Sequence, residues 1–245
     1  MPTDWNLPDV AQSYEDYEPI RERALAYPLM FEALGLGSPN CRTVLDYGCG
    51  TGKVAERIVR AYDGVSVTAA DPSAGMLGIA RNKRPHPKIT YQQIGEDQRL
   101  DVASNSVDGA LSCFIFVCIS EAERIRRIVG EVYRALRPGG TYAMLELDPA
   151  SIGIPFSIVQ MGEKGRTYGA GDPVEVRLAV PGAEPMVVVD YYWPKDVHVG
   201  FLEDAGFGAI RAHTPTLPVG YDGPGADRMA VERSHPPYVI YTARK

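Results

Sequence analysis

The chain has 245 residues, of which 45% are hydrophobic and 23% charged, and its formal net charge is −6. This composition is typical of a globular protein with a substantial core, and the acidic balance without a Lys/Arg block argues against nucleic-acid binding. The longest apolar run, 109–119, is too short for a membrane span, and Asp4 and Asp9 stand where a signal peptide needs positive charge. The four cysteines form no CxxC pair, which argues against a zinc site or a disulfide framework. The sequence therefore predicts a cytoplasmic protein without a metal.

The N-terminal segment predicts an arm followed by helices. Residues 1–13 are polar and contain Pro, which indicates a loose arm. Apolar side chains then recur at near-helical spacing over 14–36, although Pro19 and Pro28 divide this stretch into at least two pieces. Tyr14 and Tyr17 stand three residues apart, so they either close a site or pack against each other.

A glycine-rich turn follows the first predicted strand, 43–47. Asp46 lies near the end of this strand, and a helix with apolar spacing begins at Lys53. The turn between them contains three glycines at alternate positions, Gly48, Gly50 and Gly52. Glycine lets the chain turn sharply and lets a ligand approach bare backbone, so we expect the N–H groups of this turn to face a ligand.

The spacing of the glycines distinguishes between the kinds of ligand that such turns bind. A phosphate-binding P-loop would need Gly at Tyr47 and a hydroxyl residue at Val54, so that interpretation fails twice. A dinucleotide fingerprint would need a third glycine where Lys53 stands, so it is weakened. An ordinary glycine-rich turn without a ligand stays open as an alternative.

The second predicted strand, 65–71, ends on an acid. Asp71 lies 19 residues beyond Gly52, where a carboxylate can accept hydrogen bonds from both hydroxyls of a ribose. Pro72 then leads into a helix that contains Met76. A helix cap is the structural alternative for Asp71.

The next two predicted strands also end beside candidate ligand contacts. After the strand 89–94 come Glu96 and Asp97, which are either ligand contacts or solvated loop acids. The strand 106–113 reads as a buried parallel strand. Residues just beyond the carboxyl end of such a strand face the ligand in open α/β sheets, and here they are Cys113, Phe114 and Phe116. Packing in the core is the alternative for Phe116.

The candidate general bases are His198, His213, His235, Glu146 and Asp148, and the last three are preferred. An amphipathic helix over 121–136 ends at a Pro-Gly-Gly turn, where glycine is expected in a left-handed conformation, and leads into a fifth strand, 141–147. Glu146 and Asp148 leave this strand at its carboxyl end, and His235 directly precedes the last predicted strand, 238–243. A lone His is more often a surface or core residue than a base.

The C-terminal part contains two insertions, at about 149–193 and 215–236. The first predicts a loop over 149–172 and then a β-hairpin from 174–180 and 186–192, joined by a Pro-Gly turn. A helix to residue 205 and a strand at 207–213 follow. Tyr192, Trp193 and Tyr238 are candidate walls for an aromatic substrate, although packing within the hairpin is the alternative for the first two.

Three short patterns resemble class I S-adenosylmethionine (SAM)-dependent methyltransferases. They are acid-x-Gly-x-Gly-x-Gly at 46–52, Asp-x-Ser-x-x-Met-Leu at 71–77 and Leu-x-Pro-Gly-Gly at 136–140. The resemblance covers roughly 40–148, and the C-terminal third is loosely similar to toxoflavin-type small-molecule N-methyltransferases. It implies an α/β fold with a Rossmann-like, doubly wound seven-stranded sheet whose last strand is antiparallel. It also implies a helical lid at 1–39 before a methyltransferase domain at 40–245.

The resemblance also implies the roles of individual residues. SAM, which leaves as S-adenosylhomocysteine, would contact Tyr17, Asp46, Gly48, Gly50, Gly52, Asp71, Pro72, Met76, Glu96, Asp97, Cys113 and Phe114. The substrate would contact Tyr14, Phe116, Tyr192, Trp193 and Tyr238. The preferred candidate bases remain His235, Glu146 and Asp148.

The expected function is methyl transfer to N or O of a small cyclic metabolite in natural-product biosynthesis. An RNA or protein methylase, a non-catalytic SAM binder and an NAD-dependent reductase are the alternatives. The segment after the fourth strand lacks the Asn/Asp-Pro-Pro-Tyr pattern of nucleic-acid amino-methylases, which weighs against RNA. The N-terminal arm and the hairpin are candidate contacts in a homodimer.

Overall fold

The structure is a computed structural model that describes residues 3–17, 19–179 and 184–245. Within these ranges the α-helices are α1 (Pro8–Asp16), α2 (Tyr27–Ala33), α3 (Lys53–Ala61), α4 (Ala74–Lys83), α5 (Ala122–Ala135) and α6 (Lys195–Asp204). The strands are β1 (Thr43–Tyr47), β2 (Ser66–Asp71), β3 (Ile89–Gln93), β4 (Val107–Cys113), β5 (Leu136–Leu147), β6 (Val159–Met161), β7 (Pro173–Leu178), β8 (Met186–Tyr191), β9 (Gly208–His213) and β10 (Tyr238–Arg244). None of the helices in these ranges is long and apolar enough to cross a membrane.

Seven of the strands form one sheet in the order β3-β2-β1-β4-β5-β10-β9. The first five run parallel, and β10 pairs antiparallel with both β5 and β9. This confirms the predicted Rossmann-like sheet with an antiparallel last strand. The chain order reverses between β1 and β4, and ligands of such sheets bind beyond the carboxyl ends of the strands at that point.

The central strands are buried on both faces because helices cover the sheet on each side. Val44 and Leu45 are neighbours on β1, yet they belong to two different hydrophobic clusters on opposite faces of the sheet. Each is almost fully buried, with exposed fractions of 1% and 0%. Consecutive side chains of a strand point to opposite faces, so this continuous apolar run fits a sheet with two covered faces.

The N-terminal segment differs from the loose arm that its composition predicts. Helix α1 begins at Pro8, because Pro in the first turn of a helix lacks only an N–H that would have no partner there. Ala11 of this helix is buried. The predicted breaks are confirmed, since Pro19 follows α1 and Pro28 lies in the first turn of α2. A π-helical turn, Glu22–Ala26, connects them.

The first insertion is larger than a hairpin. The segment 149–172, predicted as a loop, contains β6, which pairs antiparallel with β7, and β7 pairs with β8. Val174, Val176 and Val188 of this three-stranded sheet are buried against the main core. The Pro-Gly turn predicted at 181–183 lies outside the described residues. A three-residue strand such as β6 is too short to show a period of two, which explains why its sequence reads as loop.

The junction between α5 and β5 corrects one further expectation. Helix α5 ends at Ala135, and the capping residue Leu136 is extended and already pairs with β4. Gly139 has a positive φ of 81°, but it lies three residues beyond this cap. Its N–H donates to the carbonyl of Lys245 at 2.8 Å, so this glycine shapes the turn beside the C-terminus.

Candidate active site

A cavity of about 470 Å³ lies beyond the carboxyl ends of β1, β2 and β4. Its turn end is defined by residues after these strands: Asp46, Gly48, Gly50, Asp71, Pro72, Met76 and Gln98. Its insertion end is defined by residues of the lid, the three-stranded sheet and β10: Arg21, Glu22, Tyr27, Val159, Val176, Val188, Asp190 and Tyr238. Tyr14, Tyr17, Cys113 and Phe114 also line the cavity.

The glycines of the turn provide shape rather than free N–H groups, contrary to the expectation from sequence. The N–H of Gly48 donates to the carbonyl of Ala70 at 2.7 Å, and the N–H of Gly50 donates to Asp71 Oδ2 at 2.8 Å. The N–H of Gly52 donates to the carbonyl of Cys49 at 2.9 Å. All three glycines have positive φ, which other residues adopt only with strain. Gly52 does not line the cavity, whereas Gly48 and Gly50 leave the space in which a ligand approaches the backbone.

Two neighbouring amides hold the carboxylate of Asp71 in place at the edge of the cavity. Oδ1 accepts from the N–H of Ser73 and Oδ2 from the N–H of Gly50, both at 2.8 Å, and each ionised oxygen keeps a further lone pair for a ligand. The side chain that caps α4 belongs to Ser73, whose Oγ accepts from the N–H of Met76 at 3.1 Å. Asp71 is 8% exposed and faces the cavity, which supports the ribose role.

We expect binding of adenosyl compounds to weaken as the pH falls from about 8 to 5. Burial raises the pKa of Asp71 to about 6 despite the two amide hydrogen bonds that lower it. Burial and the nearby Asp71 raise the pKa of Asp46 to about 7. A group with a raised pKa gains its proton at a higher pH, and a protonated carboxyl loses one acceptor site for a hydroxyl. Titration with 5′-methylthioadenosine, which has no α-amino group of its own to titrate, measures this; an affinity independent of pH would contradict it.

The loop after β3 presents a different residue from those predicted. Glu96 and Asp97 are exposed and do not line the cavity, and Asp97 Oδ1 accepts from the N–H of Arg99 at 3.1 Å. Gln98 is 3% exposed, has a positive φ of 63° and lines the cavity. Tyr47 donates its hydroxyl to the Gln98 carbonyl at 3.2 Å, which holds the loop in place. The SAM contact predicted for Glu96 or Asp97 is therefore not supported by their positions.

The end of β4 lies where the sequence places it. Cys113 and Phe114 both line the cavity. Phe114 has a positive φ of 56°, an uncommon conformation for a bulky residue, and its N–H donates to the carbonyl of Leu145 at 2.8 Å. Strain of this kind often marks functional sites. Phe116 is fully buried, packs edge-on against Phe201 and does not line the cavity, so the core alternative describes it.

None of the three preferred candidate bases lines the cavity. Glu146 Oε1 accepts from the N–H of Phe116 at 3.0 Å, so this buried carboxyl stabilises the turn after β4. Burial raises its pKa to about 8. Asp148 pairs with Lys195 Nζ at 2.8 Å and does not line the cavity. His235 is exposed, and its ring lies 2.9 Å from the hydroxyl of Ser234. These positions do not support the predicted base roles.

Two of the predicted aromatic walls serve the packing of the insertion. Trp193 is buried, and its Nε1 donates to the carbonyls of Phe116 at 3.1 Å and Ile119 at 3.0 Å. Tyr192 packs with Tyr168, with ring centroids 6.0 Å apart. Tyr191 lines the cavity instead. Neighbouring residues of an extended chain point in different directions, so a shift of one position exchanges the roles.

Hydrogen bonds from Lys53 hold helix α1 over the turn end of the cavity. Lys53 Nζ, at the start of α3, donates to the carbonyls of Tyr14, Glu15 and Tyr17 at 3.0, 2.6 and 2.6 Å. The last carbonyls of a helix have no partner within it, and here one ammonium group satisfies several of them. The carboxylate of Glu15, in turn, pairs with Arg84 at 2.8 Å. Tyr14 and Tyr17 both line the cavity, and their rings also stack on each other.

Replacing Lys53 by Met is expected to weaken SAM binding about tenfold, mainly through faster dissociation. Met retains most of the aliphatic stem but leaves the carbonyls at the end of α1 without their donor, which costs about 1–2 kcal/mol of lid closure. Stopped-flow or surface-based kinetics with SAM measure the two rates. Arg60→Met, which removes an exposed cation from the same helix, is the control. Equal dissociation rates in Lys53→Met and the wild type would contradict the role.

Two buried acids at the insertion end were not predicted from sequence. Glu22 lies in the π-helical turn and is 2% exposed, and Asp190 lies on β8 and is 6% exposed. Asp190 is a lone acid within an apolar run, and that was the available signal, whereas Glu22 stands between Arg21 and Arg23 in a stretch that gave none. An acid in a strand such as Met-Val-Val-Val-Asp-Tyr is buried only at some cost, which usually indicates a partner or a function.

The fold and this cavity define a Rossmann-like methyltransferase, and comparison with known proteins agrees. A family model described as a methyltransferase domain matches residues 44–140. The chain is 33% identical over 226 residues to the N-demethylindolmycin N-methyltransferase of Streptomyces griseus, an alignment that covers 89% of this chain and 93% of that protein. The chain therefore belongs to the class I SAM-dependent methyltransferases, it is an enzyme, and SAM is its methyl donor.

Solved structures share the fold at low sequence identity. A SAM-dependent methyltransferase from Mesorhizobium loti superposes with a TM-score of 0.61 at 21% identity, covering 89% of this chain and 97% of that one. The CcbJ methyltransferase from Streptomyces caelestis gives a TM-score of 0.60 at 19% identity, covering 89% of this chain and 95% of that one.

The residues of the turn end fit SAM. Asp71 has free lone pairs for ribose hydroxyls, Asp46 Oδ2 is buried without a partner among the described residues, and the missing side chain of Gly50 leaves a cradle beside the Tyr14 ring. The bound donor supplies a methyl group on a positively charged sulfur. Carboxylates and the faces of aromatic rings are suited to a cation of this kind.

Proposed function

We propose that this enzyme transfers the methyl group of SAM to a nitrogen of a small, ring-containing metabolite. The main observation that supports this proposal is that the turn end and the insertion end belong to one cavity, so donor and acceptor would meet inside the protein. At the insertion end, the walls are valines and aromatic rings, and two acids are the polar groups that suit an N–H donor. The name of the Streptomyces griseus relative, an N-methyltransferase, supports nitrogen as the methylated atom.

The shape of the site supports a small acceptor. Helix α1 and the preceding residues cover the cavity, with the Trp5 ring edge-on to Tyr14 at 5.6 Å and the Trp5 carbonyl accepting from Ser73 Oγ at 2.9 Å. The three-stranded sheet closes another side, and Thr3 Oγ1 accepts from the N–H of Val189 at 3.0 Å. A folded protein or an RNA duplex would have to displace this lid before its target atom reached the donor. A compound the size of one or two rings fits without that cost.

Methyl transfer is an in-line displacement, and the chain contributes mainly by positioning. The attacking atom must lie about 3 Å from the methyl carbon, opposite the sulfur, and holding both reactants in this geometry supplies most of the rate. Phe114, whose backbone has a positive φ, and Tyr14 both line this cavity and would contribute to this alignment. The lid excludes water, which would compete as a nucleophile.

The test is methyl transfer from isotope-labelled SAM to matched acceptors that differ only in the accepting atom. Pairs such as an aminated and a hydroxylated bicyclic heterocycle are incubated with enzyme, and mass spectrometry reports the labelled methyl group. We expect transfer to the nitrogen compound and S-adenosylhomocysteine in equal amount. Transfer only to hydroxyl acceptors would support the O-methyltransferase alternative, and transfer only to RNA or protein would overturn the proposal. Turnover of any acceptor would exclude a non-catalytic SAM binder.

The proposal places the reaction in natural-product biosynthesis in the cytoplasm. The indolmycin-type relative supports this. A closed cavity of this size also suits the methylation of a ring system that is already complete.

A further inference from the structure

Glu22 presents an unpaired carboxylate oxygen to the cavity. Its Oε1 accepts from the hydroxyl of Tyr17 at 2.7 Å and from the hydroxyl of Tyr238. Its Oε2 is buried and has no hydrogen-bond partner among the described residues. The residue begins a π-helical turn, and such turns occur frequently at functional sites. Two tyrosines therefore fix one oxygen while the other is left for a ligand.

Asp190 is a second carboxylate at the same end of the cavity. It lies on β8, lines the cavity and makes no side-chain hydrogen bond to any described residue. Burial raises its pKa to about 7. Its neighbours on the strand are apolar, so packing does not explain an acid at this position.

Three basic residues line the cavity, and two of them, Arg21 and Lys53, have partners, although Nε and Nη2 of Arg21 and Nε of Arg124 have no hydrogen-bond partner among the described residues. The guanidinium of Arg21 pairs with Glu232 at 3.2 Å, with both side chains almost fully buried, and it lies 5.6 Å from the centre of the Tyr238 ring. The ammonium group of Lys53 is held by the carbonyls at the end of α1. Neither pairs with Asp190 or with Glu22 Oε2. Neither Glu22 nor Asp190 therefore forms an ion pair with a cation among the described residues, and the charge of Arg21 at the same end is paired with that of Glu232.

On the basis of the proposed function, we propose that the insertion end selects acceptors that are planar nitrogen bases with at least two N–H donors, such as amidines, guanidines or amino-heteroaromatic rings. One N–H donates to Glu22 Oε2 and another to Asp190, and the rings of Tyr27, Phe114 and Tyr238 pack on the planar group. Charge-assisted hydrogen bonds to carboxylates and contact with aromatic faces are both strong in a desolvated cavity.

The alternatives are disfavoured by charge. An acceptor with a carboxylate would bring a third negative group beside Glu22 and Asp190, which is repulsive. A neutral hydrocarbon ring would leave both acids desolvated and unpaired, and each unsatisfied charged group is costly. A nitrogen base satisfies both acids at once.

Binding of three isosteric probes tests this without requiring turnover. Benzamidine, benzamide and benzoate are titrated into the complex with S-adenosylhomocysteine by calorimetry or ligand-observed NMR. We expect benzamidine to bind at least about tenfold more tightly than benzamide, because its N–H donors carry a positive charge that the neutral amide lacks, and benzoate to bind most weakly. Equal binding of benzamidine and benzamide, or preference for benzoate through Arg21, would overturn the proposal.

Isosteric variants identify the residues that cause the preference for benzamidine over benzamide. Glu22→Gln and Asp190→Asn should each reduce the benzamidine-to-benzamide ratio at least about threefold, with thermal unfolding used to verify folding. Glu175→Gln, on the neighbouring strand β7, removes an exposed acid that pairs with Arg177 at 2.8 Å and should leave the ratio unchanged. A ratio unaffected by both cavity variants would refute the assignment. Because these probes report binding, the preference stands or falls separately from the methyl-transfer assay.

Discussion

Replacement of Asp71 by Ala should weaken binding of SAM and S-adenosylhomocysteine about 100-fold while the protein still folds. Hydrogen bonds to a charged group contribute about 1.5–3 kcal/mol each, and loss of the two ribose contacts amounts to about 3 kcal/mol after water replaces part of them. The N–H groups of Gly50 and Ser73 also lose their acceptor, so the turn itself becomes less well fixed. Both effects act on the same part of the ligand.

Calorimetry with purified variants measures this loss. Asp71→Asn keeps the shape and one acceptor oxygen, and it should bind with intermediate affinity. Asp101→Ala, which removes an exposed acid that does not line the cavity, is the matched control and should bind like the wild type. Unchanged affinity in Asp71→Ala would remove the ribose assignment.

Replacement of Gly48 by Ala should destabilise the protein by about 3 kcal/mol and abolish SAM binding. A Cβ at this position would overlap the Cγ2 atom of Ile115, and the φ of 77° is unfavourable for any residue with a Cβ. The conformational cost is about 1–2 kcal/mol, and forcing extra volume into a packed site adds about 1–3 kcal/mol. Relief of this overlap would move the turn after β4, which carries Phe114.

Thermal unfolding and SAM titration measure the two effects. For a chain of this length, about 3 kcal/mol corresponds to a decrease in Tm of roughly 6–12 °C. Gly130→Ala is the control, because this glycine lies within α5 and has no neighbouring atom within 4 Å of an added Cβ. That substitution should raise stability by about 0.5–1 kcal/mol through helix propensity. A stable Gly48→Ala variant that binds SAM normally would show that the turn tolerates a side chain.

The parts of the fold with strong periodicity were predictable from sequence. The strands β1, β2, β4 and β10 and the helices α3, α5 and α6 agree with the predicted segments to within one or two residues at most ends. These elements have long apolar patterns or clear stop signals. The short strand β6 and the first turns of α1 have neither, since their structure depends on packing against distant parts of the chain.

The donor side of the site was more predictable than the acceptor side. Asp46, Gly48, Asp71 and Cys113 come at fixed spacings after strands, and the topology brings the ends of those strands together. Glu22 and Asp190 come from a lid and an insertion whose docking leaves no local pattern. The positions of Glu146 and Asp148 outside the cavity lining were not predictable, because a position beyond the end of a strand does not determine on which side of the sheet a side chain points.

The role of the glycine turn also changes once hydrogen bonds are known. Sequence alone suggests free backbone N–H groups, yet those of Gly48, Gly50 and Gly52 are all used within the protein. The acid that ends β2, Asp71, keeps lone pairs that face the cavity, and the ribose contact stays our prediction for it. Glycine at these positions permits the conformation and keeps the space open.

A crystal structure with S-adenosylhomocysteine tests the central claim most directly. Density for the ribose should lie with its hydroxyls on the Asp71 carboxylate, and the sulfur should point past Tyr14 and Phe114 towards Glu22 and Asp190. Density elsewhere on the protein, or a ribose that does not touch Asp71, would contradict the assignment of this cavity as the site of methyl transfer.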